Sequence, residues 1–148
     1  MRAFVLFCLG ISLVGCGSKS SPMEELRLRD VILPGGHVIK AESAVDTRDM
    51  MRGLMFRNSL APDHGMLFVH PVPGHYSYWM YQTYIPLDMI WMDENRRIVE
   101  IVESAPPCKT AASKCAHYGG TQMARFVLEL NGGESRKYGL QLGQSVDW

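Results

Sequence analysis

The residues best equipped for chemistry lie in or beside one stretch, residues 65–92, GMLFVHPVPGHYSYWMYQTYIPLDMIWM, where Trp79, Thr83 and Asp88 interrupt an apolar, aromatic run. A few polar side chains among aromatic ones have the composition of a ligand pocket, because the apolar walls exclude water and the polar groups orient what enters. Alternation along a strand would place Asp88 on one face with Ile90 and Met92, and a carboxylate taken out of water is costly unless paired or hydrogen-bonded. Arg52, Arg57 or the Thr83 hydroxyl could supply that partner. Backbone N–H groups could do so as well, and Asp88 would then hold the fold rather than a ligand. Glu129, in RFVLELN, is a second carboxylate. The first reading is a non-catalytic binding domain, with Arg52, Trp79, Thr83, Asp88 and Glu129 as candidate ligand-binding residues. Two carboxylates can also divide acid and base work if the fold brings them within reach, so a hydrolase-like enzyme using Asp88 and Glu129 is one alternative, and a metal-binding or structural/assembly protein is a further one. No Ser-His-Asp arrangement, glycine-rich phosphate loop or His-Glu-x-x-His spacing occurs, so catalytic residues stay unassigned and no cofactor is implied.

Metal chemistry has less to draw on. His70 and His75 flank the Pro71-Val72-Pro73-Gly74 turn and are the one histidine pair placed to share a metal across a hairpin, although turn histidines are usually just solvated. The ten methionines offer soft thioether ligands of the kind copper(I) takes. Met66, Met80, Met89 and Met92, however, stand among Leu, Ile, Phe and Trp, the setting of core filling. No metal site is assigned. The aromatics Tyr76, Tyr78, Trp79, Tyr81, Tyr84 and Trp91 either line a groove for a sugar or peptide or build the core.

The elements that must position these residues are short. Leu26 to Ala44 reads as a hairpin around Pro34-Gly35-Gly36, and Val45 to Phe56 as one helix capped by Thr47. Gly65 to His70 reads as a strand, Pro71 to Gly74 as a turn, and His75 to Met80 as a returning strand. Leu87 to Met92 and Arg97 to Glu103 pair around Asp93-Glu94-Asn95-Arg96. Arg125 to Leu130 places Phe126, Leu128 and Leu130 on one face and Glu129 on the polar other. One helical turn at Glu134 to Tyr138 and a strand over Leu142 to Trp148 complete the chain. The whole predicts a mainly β domain, a compact antiparallel β-sandwich or barrel with one or two short helices.

The first sixteen residues, MRAFVLFCLGISLVGC, carry one positive charge, a short apolar run and a small residue before Cys16. That run falls short of the roughly 20 residues that span a bilayer and has the form of a secretory signal. Leu13-Val14-Gly15-Cys16 resembles a bacterial lipobox, so residues 1–15 are expected to be a signal peptide and Cys16 the lipidation site. Residues 16–25 are then a tether and 26–148 the folded domain. The expected location is the bacterial cell envelope, facing the periplasm or exterior, with the outer membrane favoured by Gly17 where the cell has two. Cys108 and Cys115 remain, and outside the cytoplasm they are expected to form a disulfide. Losing residues 1–15 removes Arg2 alone and leaves 14 basic against 15 acidic residues. Such a balance does not neutralise a row of phosphates, so nucleic acid is not an expected partner. The expected partners are the membrane, through the lipid anchor, and a small ligand, envelope polymer or protein.

Five ordered blocks carry a resemblance: Arg52-Gly53-Leu54-Met55-Phe56-Arg57, Gly65-Met66-Leu67-Phe68, Tyr78-Trp79-Met80 through Thr83, Ile85-Pro86-Leu87-Asp88, and Val127-Leu128-Glu129-Leu130-Asn131 with Gly132. With these, residues 26–148 resemble the bacterial and archaeal family named domain of unknown function 192. The resemblance implies a mainly β fold of jelly-roll type and frequent export, and it brings no established activity. The chain departs from the usual pattern at Tyr81 and Gln82, where that family more often has Lys and Asn.

Overall fold

The computed structural model describes residues 28–148. The expected signal peptide, Cys16 and tether fall outside the described residues. The expected first hairpin forms as β1 (Leu28–Ile32) and β2 (Val38–Ala44), antiparallel, with Gly35 and Gly36 both at positive φ in the turn. The helix is α1 (Thr47–Arg52), shorter than residues 45–56. Its cap is Asp46 rather than Thr47, because the Asp46 carboxylate accepts the Asp49 N–H at 2.9 Å. Gly53 ends it at φ 47.

β3 runs through His64–Gly74. Pro71 to Gly74, expected to turn, instead prolongs the strand past a register shift between Val69 and Gly74, and exposure of this end spares the prolines an unmet ladder bond. Of the returning strand only β4 (Tyr78–Trp79) forms, paired with β7 (His117–Tyr118) in a separate small sheet. β5 (Leu87–Met92) and β6 (Ile98–Ala105) are the expected hairpin, closed by an Asp93 carboxylate that accepts the N–H groups of Asn95 and Arg97. β8 (Ala124–Asn131) and α2 (Glu134–Lys137) follow. No final strand forms at residues 142–148. Single bridges, Arg97 to Ser145 and Ile32 to Asp147, dock that segment instead.

The main sheet orders its strands β1-β2-β3-β8-β5-β6. It is mainly β as expected, but it does not close into a barrel and is mixed, since β2 and β3 pair in parallel. A parallel pair needs a crossover of a dozen residues or more, and residues 45–63, with α1, provide it. Both faces are covered. One carries Ile39, Leu67, Ile90, Met92 and Leu128, closed over by Leu140, Val146 and Trp148. The other carries Met66, Phe68, Met89, Trp91 and Val127, roofed by Leu54, Met50 of α1, and Tyr78 and Tyr118 of the small sheet. The Tyr78 ring meets Phe68 and Trp91 edge-on at 5.0 and 5.8 Å. The expected disulfide joins Cys108 and Cys115, and the Cys108 N–H donates to the Met80 carbonyl.

Candidate functional site

Register decides which candidates meet. Glu129 on β8 stands opposite Met66 and Met89, whose side chains belong to the α1-roofed face. Asp88 on β5 stands opposite Leu130, which belongs to the other face. Directly paired residues share a face, so the two carboxylates project from opposite sides of the sheet. They cannot divide acid and base work at one substrate, and the expected Asp88–Glu129 catalytic pair is not formed.

Asp88 is fully buried and fully engaged. Its Oδ1 accepts the N–H groups of Ser104 at 2.7 Å and Gly133 at 2.8 Å. Its Oδ2 accepts the Ser135 N–H at 2.7 Å and the Ser135 hydroxyl at 2.5 Å. None of Arg52, Arg57 and Thr83 supplies these bonds. Ser104 sits at φ 50, a left-handed position in β6, beside the register shift between Leu87 and Met89. The carboxylate therefore ties a bulge on one neighbouring strand to the start of α2, and it stands apart from Trp79 and Thr83.

Arg52, Trp79, Thr83 and Glu129 do converge. Together with Met50, Gly53, Leu54, Phe68 and Tyr78 they line a cavity of about 40 Å³ between α1 and the sheet, room for two or three waters. Local geometry builds it from short pieces. Gly53 turns the chain under the helix, where an added Cβ would press the Phe68 ring at 3.2 Å. Gln82, at φ 54, accepts the Phe56 N–H at 2.8 Å and so ties the post-helix turn to the turn holding Thr83. Trp79 is 38 % exposed and tilts between Tyr81 and His117. Met50, Met51, Tyr78 and Trp79 also form one side of an adjoining groove of about 330 Å³ that reaches His70, Tyr76 and Ser77. On the far side of Arg52 and Gly53 a third cavity, about 260 Å³, is lined by Glu42, Asp49 and Arg57, where Arg57 grips Glu42 through both guanidinium nitrogens.

Glu129 is the chemical anomaly. It is 4 % exposed, and no donor among the described residues hydrogen-bonds its carboxyl. Burial pushes it up to about 8, with the Arg57 charge offsetting part of that rise. At neutral pH the group is therefore largely a neutral acid, able to donate as well as accept. Beside it, burial raises the Tyr78 phenol and lowers the His70 imidazole, so both are neutral where they share a 3.0 Å hydrogen bond. His70 also stacks on Tyr76, while His75 bonds the Gly120 carbonyl. Among the described residues no three His, Cys, Asp or Glu side chains cluster as a metal would require. Sequence reasoning did not single out Leu54 or Phe68 as cavity walls. The Leu54 block lies next to Arg52, and that adjacency was the available signal.

A family model described as Uncharacterized ACR, domain of unknown function 192, matches residues 31–148. The chain belongs to the domain of unknown function 192 family. A crystal structure of a protein of unknown function from Novosphingobium aromaticivorans DSM 12444 is similar at 30 % identity, with TM-score 0.76, covering 94 % of this chain and 100 % of that one. A second, from Sinorhizobium meliloti 1021 and titled a "putative transcription regulator", is 34 % identical, with TM-score 0.71, over 80 % of this chain and 89 % of that one. No curated protein matches significantly. Four of the five family blocks, those holding Arg52, Phe68, Trp79 and Glu129, meet around the small cavity, whereas the Asp88 block does not.

Proposed function

We propose that this member of the domain of unknown function 192 family is a lipid-anchored cell-envelope binding domain whose ligand engages the cavity at Arg52, Trp79, Thr83 and Glu129. The envelope placement rests on the signal-like run and lipobox of residues 1–16 and accords with the Cys108–Cys115 disulfide. The membrane is the partner at the lipid, and a small molecule, or a group borne on an envelope polymer or protein, is the partner at the cavity. The near-neutral charge disfavours nucleic acid.

One observation carries the binding reading: Glu129 is a buried carboxyl that no donor among the described residues satisfies, yet it lines a cavity. A group buried for the fold's sake is normally satisfied by the fold, as Asp88 is. A group kept unsatisfied at a cavity lowers stability and is retained for what it meets there. The sign of its linkage to pH follows. The folded state holds the Glu129 proton up to about pH 8, whereas the unfolded chain releases it near the ordinary carboxyl value of 4.5. Stability is therefore highest below the lower value, falls as pH rises between the two, and bears the whole penalty above the upper. Glu129→Gln is expected to raise the unfolding free energy at pH 8.5 by roughly 1–2 kcal/mol and to flatten its pH dependence. Urea denaturation at pH 5, 7 and 8.5 measures this, and a Gln variant less stable than wild type at pH 8.5 would make Glu129 a structural residue and remove the reading.

A further inference from the structure

We propose that the site takes an amphipathic monocarboxylate, its carboxylate received by Arg52, Thr83 and Glu129 and its apolar body laid along the groove of Met50, Tyr78 and Trp79. The inference rests on the reading that this cavity binds a small molecule, and it names the chemical class.

Shape and charge both point there. The cavity at Glu129 has about 40 Å³, enough for a head group of a few atoms and too little for a body. The adjoining groove has about 330 Å³, shares Met50, Tyr78 and Trp79 with that cavity, and is bounded largely by aromatic and thioether side chains. A ligand filling both has one compact polar end and one apolar end. The polar end must suit Arg52, an exposed cation on the cavity lining that makes no ion pair with another described residue. An ammonium head would meet that like charge, and an alcohol would leave it unused. A carboxylate pairs with the guanidinium and accepts from both the Glu129 acid and the Thr83 hydroxyl, which satisfies the orphan carboxyl as well. The lowered His70 and raised Tyr78 along the groove keep those walls uncharged. When Glu129 ionises, two carboxylates face each other, so affinity must fall as pH rises through about 8.

Three probes with the same eight-carbon tail separate the possibilities: octanoate, 1-octanol and octylammonium. The ¹⁵N-labelled protein has three tryptophan indoles, and the Trp79 signal is identified by its loss in Trp79→Phe. Octanoate is expected to shift the Trp79 signal with a Kd at least about tenfold below that of octanol, and octylammonium to bind weakest. Octanoate affinity should drop about tenfold between pH 6.5 and 9.5 in wild type and stay level in Glu129→Gln. Arg52→Gln, a change at an exposed position, should erase the preference for octanoate over octanol. Octanol binding as tightly as octanoate, or octylammonium binding best, overturns the carboxylate assignment while the cavity remains a binding site. No saturable shift with any probe also overturns it, and the stability of Glu129→Gln then decides the broader reading separately.

Discussion

Asp88→Ala would leave the N–H groups of Ser104, Gly133 and Ser135 without their acceptor at a fully buried position. Orphaning buried donors and releasing the left-handed Ser104 is expected to lower stability by about 3–5 kcal/mol, read as the urea midpoint. Asp88→Asn keeps one acceptor oxygen and should lose less. Half of this was legible in the sequence. Alternation placed Asp88 on a buried face and made backbone donors one of its two fates. The donors themselves lie 16 and 45 to 47 residues away, and no local pattern encodes which distant turns fold back on a carboxylate. Glu129 was misplaced for a related reason. A Glu in an alternating strand marks the solvent side only when nothing roofs the sheet, and here α1 and the small sheet roof it.

Among the elements, the turn of Tyr81 and Gln82 holds the strained joint of the site. Gln82 adopts φ 54, a conformation that Asn tolerates better than Gln. The resemblance supplies Asn at this place, so Gln82→Asn is expected to raise the melting temperature, a gain of about 0.5 kcal/mol, with the Phe56-to-Gln82 backbone bond intact. Calorimetry measures it, and a lower melting temperature would mean that the Gln82 amide bond to the Tyr81 hydroxyl outweighs backbone strain. Strands of five or more residues with regular alternation were read correctly. The errors fell at Pro71 to Gly74, at His75 to Met80, of which only Tyr78 and Trp79 form a strand, and at residues 142–148, where turn composition and alternation compete with tertiary docking. The parallel pairing of β2 with β3 left one trace in the sequence: more than a dozen residues between them, too many for a hairpin.

At the scale of the whole molecule, the Cys108–Cys115 bond pins a loop whose backbone reaches Met80 and Tyr81, next to the site. Replacing both cysteines by Ser should cost about 2.5 kcal/mol on the chain-entropy account. Hydrogen exchange should then speed first at β4 and β7, and uniform acceleration over the main sheet would contradict this local role. The main sheet also has an order in time. β8, which begins at Ala124, lies between β3 and β5, so the strands made before it have no centre to close upon. The main sheet cannot be completed until almost all of the chain exists, and long-range pairing of this kind closes slowly, in milliseconds to seconds. On the envelope placement proposed above, that delay is useful, because the chain can be threaded across a membrane before it has a fold to undo.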